Sequence, residues 1–259
     1  MVAPDAPWAS LETKIKQMAD DLRALQADEE APFRNNVQSI VEVADATVYQ
    51  PRDVALAITS PPYMNGLDYV MNYKIEMAWL DFTKSHREAK AIKDAMVVCD
   101  NVSKRVTADF AAHDDKYNDP WLTDIVTRLS ENIARWDDGR AARRIPRRRT
   151  ADKAGSNGAE KPRRYRRQDM PTIVHKYFDD MYKVMARVRD GLVDGGRFVL
   201  VVGDSFIADV YVPTDLLLAK MGATLGLDIE GVEKARRRRS GQIMSYRLRE
   251  TVLTLRKPK

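Results

Sequence analysis

The sequence predicts an α/β fold in which short buried strands alternate with amphipathic helices, forming a mainly parallel sheet covered on both faces. Three observations carry this. The apolar run Val54 to Ile58 ends abruptly at two prolines; a long helical stripe beginning at Pro171 leads into the continuous apolar run Phe198 to Val202; and Glu250 to Leu255 closes the chain as one more strand-like segment. With 259 residues and 44% hydrophobic content, the chain is long enough for one sizeable core.

Near the start, Leu11, Ile15, Met18, Leu22 and Leu25 recur every three or four residues behind Ser10, which predicts a capped helix whose stripe is buried against its own domain or, as the alternative, against a docking partner. Val37 to Val43 and Val54 to Ile58 read as short buried strands, with Asp45 after the first. A helix follows through Tyr73, Met77 and Leu80. Asp119 and Pro120 then resemble a cap and first position ahead of Leu122, Ile125, Leu129, Ile133 and Trp136, so this stretch is expected to be helical throughout. Val174, Phe178, Met181, Met185, Val188 and Leu192 lie on one helical face, stopped by Asp194-Gly195-Gly196. Phe198 to Val202 forms a strand ending in Gly203-Asp204-Ser205, and Pro213 opens a helix through Leu216, Leu217 and Met221. A weaker strand near Asp228 to Val232 precedes the run Arg236 to Arg239 and the last strand. The implied division is a helical segment over 1–34, first strands over 35–85, a helical insertion over 86–139, a basic stretch over 140–170 and a closing α/β part over 171–259.

The net charge of +5 hides a concentration. Between Arg140 and Arg167 stand twelve Lys or Arg residues against two acids, with almost no large aliphatic side chains, so this stretch cannot fold by burying itself. It reads either as a nucleic-acid contact or as a solvated linker. Cys99 is the only cysteine, which excludes internal disulfides and cysteine-rich zinc sites; no metal is expected, and a reducing cytoplasm fits. No signal peptide and no membrane-length apolar run is present.

The residues that carry chemistry are Thr59-Ser60-Pro61-Pro62-Tyr63, a polar turn with an aromatic ring delivered by an apolar strand. This run, followed by Asn65, Asp68 and Tyr69, resembles the catalytic loop of the amino-methylating DNA methyltransferases. These transfer a methyl group from S-adenosylmethionine (SAM) to the exocyclic nitrogen of cytosine or adenine, and serine at the first position leans toward cytosine N4. The resemblance spans about residues 37–82 and 171–257. It implies a partial Rossmann-like class I methyltransferase sheet with a C-terminal antiparallel hairpin, plus the helical insertion.

An exocyclic amine is a poor nucleophile because its lone pair is delocalised into the ring. Acceptors aimed at its two hydrogens localise that pair, and the Ser60 hydroxyl and Pro61 carbonyl are suitable. Two prolines fix the turn that aims them. Tyr63 would stack on a base extruded from the duplex. The resemblance further implies that Asp45, Thr59 and Ser60 contact the cofactor and that Asn65 and Tyr69 lie on the DNA side. In the basic stretch, Arg147, Arg148, Arg149, Arg163, Arg164, Arg166 and Arg167 are candidates for phosphate or guanine contacts, with Arg237 and Arg238 as a second contact or a solvated hairpin.

One expected part is missing. A SAM cradle needs glycines so that backbone can approach the cofactor closely, yet none of the twelve glycines forms Gly-x-Gly. The expectation is therefore a split enzyme, in which a second subunit carries the glycine-rich loop and pairs with the open edge of the Val37 strand. An order-permuted enzyme and a non-catalytic nucleic-acid-binding subunit are the alternatives.

Overall fold

A computed structural model describes residues 6–27, 38–64, 69–98, 102–142, 168–239 and 247–259. It divides into two compact units, Met1–Val43 and Ala44–Lys259.

The first unit holds helix α1 (Ala6–Ala27). Ser10 lies inside this helix rather than capping it, and the Leu11 to Leu25 stripe stays exposed, with no buried residue on α1. The expected strand over Val37–Val43 is absent from its described part, residues 38–43. Val41 and Val43 are 93% and 104% exposed. An apolar run becomes a strand where a neighbour pairs its backbone and covers a face; neither condition is met here.

The second unit contains, in order, β1 (Val54–Thr59), α2 (Tyr69–Asn72), α3 (Lys74–Trp79), α4 (His86–Ala95), α5 (Lys104–Ala112), α6 (Pro120–Ala142), α7 (Met170–Gly191), β2 (Leu192–Gly203), β3 (Ser205–Ile207), β4 (Val210–Val212), α8 (Thr214–Thr224), β5 (Asp228–Arg239) and β6 (Arg247–Arg256). The main sheet has the order β1-β2-β6-β5. Only β1 and β2 are parallel; β2–β6 and β6–β5 are antiparallel. The sheet is thus mixed rather than mainly parallel, because helices α2 to α7 form the one crossover between neighbouring strands while β5 and β6 fold back as the expected hairpin.

The core lies where α7 meets the sheet. Tyr177, Phe178, Met181 and Met185 are fully buried together with Leu200 of β2 and Leu253 and Leu255 of β6. Two carboxylates of α7 tie the insertion down: Tyr117 N donates to Asp179 at 2.9 Å and Val98 N donates to Asp180 at 3.2 Å. Lys183 and Lys176 pair with the same two groups. Asp119 accepts from Trp121 N at 2.9 Å, which makes it the cap of α6 as expected.

The Gly-Gly pair does not stop α7. The helix ends at Gly191, and β2 already begins at Leu192. Gly195, at φ 76°, forms a kink inside β2, where its N–H donates to Lys257 O at 3.0 Å. At Gly191 the constraint is closeness: an added Cβ would run into the Pro51 carbonyl, with its carbon at 2.8 Å, and a backbone group cannot swing aside. Gly191→Ala is therefore expected to cost about 1–3 kcal/mol, read as a lowered urea midpoint. Gly231→Ala, where the nearest atom is 3.7 Å away, should stay within about 0.5 kcal/mol of the parent.

Candidate active site

β1 runs parallel to β2, with Thr59 opposite Leu200, so Ser60 emerges at the carboxyl end of the parallel pair. In α/β sheets that edge is where ligands are bound. Ser60 is exposed, Pro61 is buried, Pro62 and Tyr63 are half-buried, and Met64 is fully buried in the core. The turn is thus pinned behind the serine while Ser60 faces solvent. A buried proline followed by a core methionine leaves the loop little freedom, which is what an acceptor aimed at a substrate amine requires.

The end of β2 lies on the same edge. Asp204 and Asp215, whose side chains are 0% and 1% exposed, share one guanidinium: Arg249 Nε donates to Asp204 Oδ2 at 3.0 Å and Arg249 Nη2 donates to Asp215 Oδ1 at 3.1 Å. Tyr211 also donates to Asp204 Oδ2, and Thr251 Oγ1 donates to Asp215 Oδ2 at 2.8 Å. Burial, then the neighbouring Asp204 charge, pushes the Asp215 carboxyl above the usual range. Burial and the hydrogen bond to Asp204 likewise raise the Tyr211 phenol. The resemblance set Asp204 and Ser205 as loop residues beside the target base, with a plain turn as the alternative; the partners of Asp204 come from segments up to 45 residues away.

On the far strands, Arg236 forms a bidentate pair with Glu250, at 2.8 and 3.0 Å. This pair raises the Arg236 guanidinium, and Tyr63 lies close enough to add to the effect electrostatically. The structure therefore brings the turn ending in Tyr63 and the arginine-rich end of β5 into one neighbourhood. Arg237 and Arg238 fall within β5 rather than in a link between strands, because the β5–β6 pairing continues to Arg239 opposite Arg247.

Other expected residues are placed differently. Asp45 does not follow a strand; it sits in an exposed turn where its Oδ1 accepts from Thr47 N at 2.8 Å and Thr47 Oγ1 at 2.7 Å. This is a local Asx turn. Thr59 is half-buried at the end of β1, and Tyr69 is half-buried at the start of α2. Asn65, the arginines at 147–149, 163, 164, 166 and 167, and Cys99 lie outside the described residues. Cavities of about 310 and 320 Å³ open beside α5 and α7 and beside α2 and α4, and neither is lined by Ser60 to Tyr63. Among the described residues no group of three His, Cys, Asp or Glu could hold a metal ion, and no helix is long and apolar enough to cross a membrane. No described segment offers a glycine cradle for a cofactor's methionine part either.

No family model matches the chain, and no curated protein matches it. Among solved structures, three of TTHA0409 from Thermus thermophilus, named as a putative DNA modification methylase, are similar. One shares 17% identity over 84% of this chain and 53% of that one, with a TM-score of 0.33. A selenomethionine form shares 28% identity over 32% of this chain and 37% of that one, with a TM-score of 0.28. A form complexed with S-adenosyl-L-methionine shares 27% over 32% and 38%, with a TM-score of 0.27. The chain thus spans between about a third and a half of those proteins, and TM-scores this low leave any functional argument to rest on the residues of the chain itself.

Proposed function

We propose that this chain is the catalytic-loop subunit of a SAM-dependent DNA methyltransferase that acts on the exocyclic amine of a flipped base, cytosine N4 in first place and adenine N6 as the alternative. The observation that carries this reading is the exposed Ser60 on a turn held by buried Pro61 and Met64, at the carboxyl end of a parallel strand pair. The Ser60 hydroxyl and the Pro61 carbonyl accept the two amine hydrogens and localise the nitrogen lone pair, while Tyr63 stacks on the base. SAM, when bound, supplies an electrophilic methyl on a sulfonium. This chain's residues hold the acceptor amine in line with it and keep the base out of the helix.

A partner subunit belongs to the same reading. Among the described residues β1 pairs only with β2, so its other edge is open, and Leu56 and Ile58 of this strand are 53% and 68% exposed. An edge of this kind invites a further strand. The open edge that the sequence placed at Val37 is at β1 instead. A parallel strand added there, followed by a glycine-rich turn, would set a cofactor cradle beside Ser60. The basic stretch around Arg147 and Arg163 would add DNA contacts.

The test is radiolabelled methyl transfer from SAM to DNA with this chain alone and then with the product of the adjacent gene. Activity only in the mixture is the expected result. Activity of the chain alone removes the need for the partner, and silence in both, with DNA binding retained, makes it a non-catalytic nucleic-acid-binding subunit.

A further inference from the structure

Among the described residues, the β5–β6 ribbon carries arginines that no acid pairs. Cross-strand partners run Arg236–Glu250, Arg237–Arg249, Arg238–Leu248 and Arg239–Arg247. Two of these four put arginine directly opposite arginine, an arrangement that destabilises a sheet in isolation. By strand alternation and register, Arg237, Arg247 and Arg249 share one face. Arg249 is held by Asp204 and Asp215, and Arg236, on the other face, is held by Glu250. Arg237 and Arg247 are exposed and form no ion pair among the described residues.

Position gives this charge a direction. Gly203, the last residue of β2, pairs with Glu250, which pairs with Arg236, so positions 237–239 and 247–249 run past the carboxyl end of β2. That is the edge on which Ser60 emerges. Three strand spacings separate β1 from β5, roughly 14 Å, which is about four base-pair rises along a duplex axis. Along the ribbon, positions 247 and 249 lie about 7 Å apart, or two such rises.

We propose that the ribbon face bearing Arg237 and Arg247 grips the phosphate backbone of duplex DNA flanking the base that Tyr63 receives. The choice of DNA rests on the methyltransferase reading; the presence of an anion-binding ribbon does not. Phosphates beside Arg237 and Arg247 supply the counter-charge that the described residues do not, and this becomes affinity in the complex. The contact reads backbone rather than bases, so it adds affinity without sequence preference.

The experiment measures duplex affinity of the full chain, with and without its partner, from about 0.05 to 0.3 M salt, for the parent and for Arg237→Ala/Arg247→Ala. Losing two phosphate contacts should lower affinity about 10–30-fold near 0.15 M salt and reduce the log–log salt slope by about 1.8. The thermal midpoint should be unchanged or higher, because like charges have been removed. Arg128→Ala, on α6, is the control and should bind as the parent does. Equal affinity and slope in parent and double variant overturn the proposal, as does failure of the parent to bind duplex. Binding to phosphatidylserine vesicles as tight as to duplex overturns it in favour of a lipid surface. Ribbon-dependent duplex binding without methyl transfer in any mixture leaves the ribbon standing and removes the methyltransferase reading.

Discussion

Ser60→Ala should lower methyl transfer by about 10²–10³-fold while DNA affinity and folding stay near those of the parent. Ser60 is the first residue beyond β1 and is exposed, so removing its hydroxyl breaks no packing, and the stability change should stay within about 0.5 kcal/mol. What is lost is one of two acceptors that localise the amine lone pair, and this matters most as the nitrogen becomes tetrahedral. The loss should therefore appear in kcat rather than KM. Single-turnover transfer by the reconstituted enzyme is the direct measurement. A variant that transfers within threefold of the parent would show that the turn only shapes the pocket, and the assignment of Ser60 would fail.

The closing α/β part was legible because its signals are local. Val174, Phe178, Met181 and Met185 fall on one helical face and are buried on α7, and Phe198, Leu200 and Val202 alternate onto the core face of β2. Val54 to Ile58 was recoverable for the same reason, ending at the prolines that begin the site. Signals that depend on distant partners misled. Val37 to Val43 has strand composition but no neighbour over its described part, and the α1 stripe has helical spacing but nothing covering it among the described residues. The β3–β4 hairpin was hidden by its turn: Ala208 and Asp209 both adopt positive φ, 46° and 61°, where asparagine or glycine would have announced it. The arginine run looked like a link because strands seldom place like charges side by side, yet the Arg236–Glu250 pair and continued register make it strand. Asp204 was singled out by its place after the strand, but its sharing of Arg249 with Asp215 was invisible for want of any local pattern.

That buried cluster gives the second large effect. Arg249→Ala should destabilise the protein by about 3 kcal/mol at neutral pH. The Asp204 and Asp215 side chains are essentially without solvent, whereas Arg249 is 39% exposed, so the guanidinium serves as their route to charge balance. Tyr211, Thr251 and the Leu216 amide still donate to them in the variant, which keeps the loss toward the lower end for a broken buried pair. The pH dependence follows from Asp215. Its folded pKa already lies above the ordinary value of 3.8, so the native state holds more protons than the unfolded state across that interval, and stability falls as pH rises through it. Without Arg249 the folded pKa moves further up and the fall extends to higher pH. The gap between parent and variant should thus be small near pH 4 and widest near pH 7, measured as urea midpoints across that range. Asp204→Asn in the Arg249→Ala background should recover at least half of the loss, since it removes one of the two buried charges that Arg249 balances. A gap that is below about 1 kcal/mol or flat with pH would mean that solvent reaches these carboxylates, and that the edge beside Ser60 is open rather than braced from beneath.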